Sequence, residues 1–231
     1  MKSTSNRINK DHIKTVTAVG LFSALAYVCC VLFHFKAGFL SFDLKDAVMA
    51  VGAMIFGPIY GVAMAIIVAI IESLTISTTE FYGFIMNVLS SCTFVGVAGL
   101  IYSRHRTIKL AVVGITAASL TTVAVMMLAN YLITPLYMQV SRSDVVSLIP
   151  TLLLPFNLTK TVFNSAVVFI IYKPIVTAMR TSGFLVSNDG VNSVKKNGKL
   201  SLTVSVIAIS IAAAALIFFF VKLGGSFSVG K

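Results

Sequence analysis

Charged residues are scarce in this sequence. Asp, Glu, Lys and Arg make up only 11% of its 231 residues, whereas a soluble domain normally carries about 25%. Hydrophobic residues account for 58% of the chain, and the mean hydropathy is +0.98. This balance excludes an ordinary soluble domain and indicates an integral membrane protein.

Cysteine is also rare. The three cysteines, Cys29, Cys30 and Cys92, all fall inside apolar runs. Their spacing matches neither a metal site nor a disulfide framework. We therefore interpret them as small buried hydrophobic residues and predict no metal site.

Motifs for nucleotide binding and catalysis are missing. The string nearest to a P-loop, residues 198–201, lacks the glycine five positions earlier and has Leu200 where Ser or Thr is needed. The chain also lacks a nucleophile elbow, a zinc motif and a Rossmann fingerprint. ATP hydrolysis at a P-loop is thereby excluded, and we predict that the protein is not an enzyme. A membrane-embedded enzyme with Glu72 or Asp46 as its base remains an alternative.

Long apolar runs are what the sequence has in abundance, and a helix needs roughly 20 such residues to cross a bilayer. Seven runs are predicted to form membrane segments: 13–35, 44–56, 59–76, 81–102, 110–137, 152–179 and 200–221. The second is short and stops at Gly57-Pro58, because proline has no N–H to continue a helix. We predict an all-α integral membrane bundle with three parts: a six-helix membrane domain over 1–180, a polar basic linker over 181–199, and an additional transmembrane helix with a short tail over 200–231.

The few charges are mostly positive, with a formal net charge of +11. The basic residues cluster between the apolar runs, as the positive-inside rule predicts, so nucleic acid is not an expected partner. With the N-terminus in the cytoplasm, twelve of the 18 Lys and Arg residues lie inside, five lie outside and Lys160 lies within the membrane. The sequence therefore predicts a multi-pass protein of the cell membrane, whose C-terminus is outside if the seventh segment spans.

Lys160 is the most unusual of these charges because it lies in an apolar run. An ammonium group inside a membrane helix is costly unless it faces a cavity or a partner. Asn157, Lys160 and Asn164 are spaced so that they share one helical face. This polar stripe is typical of the wall of a binding site. The alternative is a structural ion pair of Lys160 with Glu72 or Asp46.

Other segments carry polar residues at the same predicted depth, near their outer ends. Random placement would scatter such residues, so we predict one polar cavity open to the outside and capped by the loop His34–Lys45. Asparagine offers donors and acceptors to an amide-like edge. Aromatic residues at this depth, such as Phe42 and Tyr131, can sandwich a flat ring, although an interfacial belt or core packing is the alternative. Nine ligand-contacting residues are predicted: Phe42, Asp46, Glu72, Asn87, Asn130, Tyr131, Asn157, Lys160 and Asn164.

Several strings resemble a known family. Residues 39–46, FLSFDLKD, resemble the first-loop motif of the substrate-binding S components of energy-coupling factor (ECF) transporters, as do residues 56–61, FGPIYG, and the helix of Asn87. Residues 130–137, NYLITPLY, and residues 154–160, LPFNLTK, resemble the riboflavin-type members. The resemblance covers roughly residues 12–180, so residues 181–231 are extra.

The resemblance implies a six-helix S component that takes up riboflavin or FMN from outside as a transported ligand and has no cofactor. It also implies three partners in the bilayer complex: a transmembrane coupling subunit and two cytoplasmic ATPases. Gly20 and Ala24 form a small-xxx-small pattern on the first segment, and we predict that they dock another membrane subunit. The alternative is a stand-alone facilitator or exporter whose extra helix replaces a partner.

Overall fold

The computed structural model describes residues 2–37, 40–76, 80–182, 198–222, 224 and 226–227. Phe39 of the first-loop string and residues 183–197 of the expected linker lie outside these ranges. The described helices are α1 Lys2–Leu32, α2 Lys45–Phe56, α3 Pro58–Thr75, α4 Glu80–Tyr102, α5 Ile108–Met138, α6 Arg142–Leu148, α7 Leu154–Thr181 and α8 Gly198–Lys222.

The described part of the chain contains five helical stretches that are long and apolar enough to cross a membrane. They are His12–Leu32, Pro58–Thr75, Phe81–Tyr102, Ile108–Met138 and Arg142–Met179. Val206–Lys222 of α8 is a shorter apolar helix. The prediction of an integral membrane helical bundle is therefore confirmed.

Helix α2 is the centre of the bundle. It has 12 residues, of which all but the last are buried, and it is about 18 Å long at 1.5 Å per residue. Gly57 ends it with φ +110°, and Pro58 begins α3. A Cβ on Gly61 of α3 would lie 2.4 Å from the Cβ of Ala53, so only glycine permits this close approach. Because α2 is shorter than the hydrocarbon core, the chain entering it must descend into the bundle.

The segment before α2 forms strands rather than the expected irregular loop. Strand β1 (Phe35–Ala37) pairs antiparallel with β2 (Leu40–Phe42), and β3 (Ser226–Phe227) pairs with the other side of β1. We call β1 and β2 together the first-loop hairpin. The chain after α8 thus returns to the hairpin, and the C-terminal ends of α1 and α8 lie on the same side of the bundle.

Arg142 and Asp144, which fall between the fifth and sixth predicted membrane segments, lie in the short helix α6. Ser141 caps this helix: its hydroxyl accepts from the Asp144 N–H, while the Asp144 carboxylate accepts from the Ser141 N–H. This capping box satisfies N–H groups that are otherwise unpaired at a helix start. A π-helical turn, Ile149–Leu153, then joins α6 to α7 without a break.

Two apolar clusters stabilise the bundle. The larger one surrounds α2 and includes Met49, Val51 and Met54. The smaller one joins the hairpin to α7 and α8. Among the described side chains, its buried aromatic residues are Phe42, Phe156, Phe163 and Phe219.

Candidate ligand-binding site

A cavity of about 90 Å³ lies between the first-loop hairpin, α4, α5 and α7. Four of the predicted site residues line it: Asn87, Asn130, Asn157 and Lys160. The other lining residues are Leu40, Ser41, Gly83, Met86, Ser90, Met126, Tyr137 and Phe156. Three helices thus bring their polar side chains to one place, beneath a strand of the hairpin.

The asparagines are held by their own helices. The amide nitrogen of Asn130 donates to the Met126 carbonyl at 2.7 Å, and its oxygen accepts from the Thr134 hydroxyl at 3.0 Å. The amide nitrogen of Asn157 donates to the Leu153 carbonyl at 2.8 Å. An asparagine amide has two N–H donors and an acceptor with two lone pairs. These bonds fix the orientation of each amide and leave further hydrogen-bonding capacity for a ligand.

Lys160 is almost fully buried, at 8% exposure. Its ammonium group donates to the Asp43 carboxylate at 3.1 Å and to the Ser41 carbonyl at 3.4 Å. The sequence predicted Glu72 or Asp46 as a structural partner, whereas the structure gives Asp43, at the end of the hairpin. Lys160 therefore connects the wall of the cavity to the first-loop hairpin.

A second buried lysine stands beside this pair. The ammonium group of Lys45 forms ion pairs with Asp43 at 3.4 Å and with Glu72. The Asp43 carboxylate thus contacts two ammonium groups, that of Lys45 and that of Lys160 at 3.1 Å. Asp43 is therefore an anion that both ammonium groups share.

Asp43 and Lys45 were not among the predicted site residues, since both belong to the loop His34–Lys45 that was expected to cap the cavity. One feature of the sequence does indicate that these two charges are buried, namely the shortness of the second apolar run. A short helix starts below the membrane surface, so the charges at its start are buried and need partners.

The acidic residues that were predicted to contact the ligand lie beside these ion pairs rather than in the cavity. Glu72 accepts from the Asn87 amide at 2.7 Å and thus contacts a residue of the cavity wall. Asp46 is buried and accepts from the Ser91 hydroxyl at 2.6 Å. Neither carboxylate is among the residues that line the cavity.

Asn164 lies on the same face of α7 as Lys160 but contacts backbone. Its oxygen accepts from the Ala47 N–H at 3.0 Å, and its nitrogen donates to the Asp43 carbonyl at 3.1 Å. Ala47 lies in the first turn of α2, where helix N–H groups have no partner within the helix. Asn164 therefore caps α2 from a neighbouring helix.

The two predicted aromatic residues also lie outside the cavity lining. Phe42 is fully buried in the smaller apolar cluster. Tyr131 is half-buried, and the Arg142 guanidinium lies 5.8 Å from its ring centre. The aromatic residues that do line the cavity are Tyr137 and Phe156.

The expected docking residues are on an open face of α1. Gly20 and Ala24 are both exposed, and a Cβ built on Gly20 would meet no atom of the described residues within 4 Å. This face has room for another helix, and docking there stays a prediction.

Comparisons with known proteins agree with the resemblance. The family model "ECF transporter, substrate-specific component" matches residues 14–172. The chain is similar to "Riboflavin transporter RibU" of Staphylococcus aureus (strain TCH60), with 24% identity over 183 residues that make up 75% of this chain and 96% of the relative. It is also similar to a solved structure titled "Structure and mechanism of the S component of a bacterial ECF transporter". That match has a TM-score of 0.61 and 25% identity, and it covers 74% of this chain and 98% of the other.

Proposed function

Since the chain belongs to the family of substrate-specific components of ECF transporters, we propose that it captures a flavin, riboflavin or FMN, at the outer face of the membrane for import. One observation carries this proposal: Asn87, Asn130, Asn157 and Lys160 converge on a single cavity under the hairpin. The similarity to a riboflavin transporter supports the choice of flavin.

The chemistry of the cavity suits a flavin. The isoalloxazine ring presents N–H and C=O groups along its pyrimidine edge, and asparagine amides can pair with both. Phe156 and Tyr137 offer aromatic surfaces for the ring faces. The Lys160 ammonium is a donor for a ribityl hydroxyl, or for the phosphate of FMN.

The cavity must enlarge to hold such a ligand. Its volume of about 90 Å³ is below the roughly 300–1,000 Å³ that is typical of pockets for drug-sized ligands. Leu40 and Ser41 of β2 form part of its lining, so displacement of the hairpin would open it. We therefore assign the hairpin the role of a lid that moves to admit the ligand.

The orientation follows from charge. An N-terminus in the cytoplasm satisfies the positive-inside rule, and it places the hairpin, the cavity and the end of α8 outside. Without a P-loop in its sequence, the chain needs partners to supply energy. The proposed partners are a transmembrane coupling subunit and two cytoplasmic ATPases, with the α1 face of Gly20 and Ala24 as the contact.

A titration tests the ligand class directly. Purified protein should bind riboflavin or FMN tightly in isothermal titration, and thiamine and biotin far more weakly. A yellow preparation with a flavin absorption spectrum would give the same answer. If thiamine or biotin binds as well as either flavin, the assignment is wrong.

Co-purification with ATPase subunits separates the importer from a stand-alone facilitator or exporter.

A further inference from the structure

Helix α8 lies beyond the family match, which ends at residue 172. It packs against α7, and its last turns carry three consecutive phenylalanines. Phe219 is fully buried, whereas Phe218 and Phe220 are 42% and 41% exposed. Only one of the three rings is therefore turned into the protein.

The buried ring joins two parts of the candidate site. The centre of the Phe219 ring lies 4.8 Å from that of Phe42 and 6.3 Å from that of Phe156. Phe42 is the last residue of β2 in the hairpin, and Phe156 lines the cavity. The rings of Phe42 and Phe156 are themselves 6.4 Å apart. Phe219 thus completes a cluster between the proposed lid and a wall of the cavity.

The chain after α8 makes a second contact with the hairpin. In β3, Ser226 pairs with Lys36 and Phe227 pairs with Phe35. Strand β1 is thereby flanked on both sides, by β2 and by β3. An edge strand without such a partner would leave its N–H and C=O groups unpaired. Two elements outside the family region therefore hold the same hairpin, one by its backbone and one by a side chain.

We propose that Phe219 and β3 act as a clasp that positions the hairpin and Phe156 over the cavity and slows ligand release. Phe219 is a positioning residue, because it acts through Phe42 and Phe156. The hairpin cannot move away from the cavity without breaking the contact of Phe42 with Phe219 or the pairing of β1 with β3. The inference rests on the proposed function for its ligand, but the contacts of the clasp belong to the fold itself.

The first test compares Phe219→Ala with Phe218→Ala in the full chain. The control changes the same residue type one position away, at an exposed site. Riboflavin dissociation, followed by its fluorescence, should be about five- to tenfold faster in Phe219→Ala, the scale of one aromatic pair, and unchanged in Phe218→Ala. Phe219→Leu should restore part of the difference. The visible circular dichroism of bound riboflavin should change in Phe219→Ala, because Phe156 then loses its contact with the Phe219 ring. It should stay the same in Phe218→Ala.

The second test needs no flavin. Backbone hydrogen exchange at residues 35–37 and 40–42 should be faster in Phe219→Ala, and also in a chain that lacks residues 226–231, than in Phe218→Ala. Equal exchange in all of these proteins would overturn the clasp, as would equal dissociation rates in the two alanine variants. If Phe219→Ala does not fold, the exchange rates of the chain that lacks residues 226–231 decide whether the clasp exists. If the unaltered protein binds no flavin, the proposed function fails, and exchange still decides this inference.

Discussion

Lys160 contacts both the cavity and a buried carboxylate, and this position lets it change partners at low cost. A lysine at membrane depth needs a counter-charge, which Asp43 supplies at 3.1 Å. Asp43 is shared with Lys45, at 3.4 Å. If the Lys160 ammonium turns toward a ligand acceptor, Asp43 keeps Lys45 as its partner. Neither charge is then left alone in a buried site, where an unpaired charge is strongly unfavourable.

Replacement of Lys160 by methionine tests whether the ammonium contacts the ligand. Lys160→Met keeps an unbranched side chain but removes the donor, so flavin affinity should fall by about 1.5–3 kcal/mol, the range for a hydrogen bond to a charged group. Isothermal titration measures the loss. Lys109→Met, at an exposed position on α5, is the control and should bind normally. Unchanged affinity in folded Lys160→Met protein would assign Lys160 to its structural pair with Asp43.

At the residue scale, periodicity predicted which face of each helix is polar but not what that face contacts. Asn157, Lys160 and Asn164 do share a face of α7, yet Asn164 caps α2 while the other two line the cavity. The difference depends on the depth at which α2 begins, which is a tertiary property. For the same reason Asp46 and Glu72 bond to Ser91 and Lys45 rather than line the cavity.

At the element scale, the hairpin is the smallest element of the site, and few hydrogen bonds within it hold its strands together. Each of its strands has three residues, and a two-stranded hairpin alone is marginally stable in water. Its stability here depends on the pairing of β1 with β3, the Lys160–Asp43 pair and the contacts of Phe42. An element anchored at a few points can open as a unit, which is what a lid requires.

Hydrogen exchange with and without ligand tests the lid. Saturating flavin should slow exchange at the amides of residues 40–42, because closure over the ligand excludes water. The turn of residues 103–107, which joins α4 to α5, is the internal control and should exchange equally in both samples. If the hairpin amides also exchange at the same rate in both, the hairpin is not a lid, and the ligand must reach the cavity by another route.

The helices could be predicted from the sequence because each is a long apolar run, and the observed ends of α2 to α5 lie within two residues of the expected ones. The strands could not. A three-residue strand has no measurable alternation, and β1 pairs with β3 from the far end of the chain. The capping box of α6 was visible as Ser141 and Asp144, but a seven-residue polar helix has no apolar periodicity to reveal it.

At the scale of the whole molecule, the cavity and the proposed docking residues lie on separate surfaces. The cavity is formed by α4, α5, α7 and the hairpin, whereas Gly20 and Ala24 lie on the outward face of α1. Helix α8 packs on α7, and within the described part of the chain Gly20 and Ala24 stay exposed. The architecture therefore favours an importer subunit, with one face for a partner and a separate site for the ligand, over a facilitator whose extra helix replaces the partner.

Bulky substitutions on α1 test this separation. Gly20→Leu and Ala24→Leu should prevent close helix approach, which small residues permit, and should abolish flavin uptake by cells while riboflavin affinity stays unchanged. Ala124→Leu, at an exposed alanine of α5, adds the same bulk elsewhere on the lipid-facing surface and should leave uptake intact. Co-purification with the ATPase subunits should be lost in the α1 variants only. Normal uptake in both α1 variants would place the docking surface on another helix, and loss of flavin binding in folded variants would show that the two surfaces are not independent.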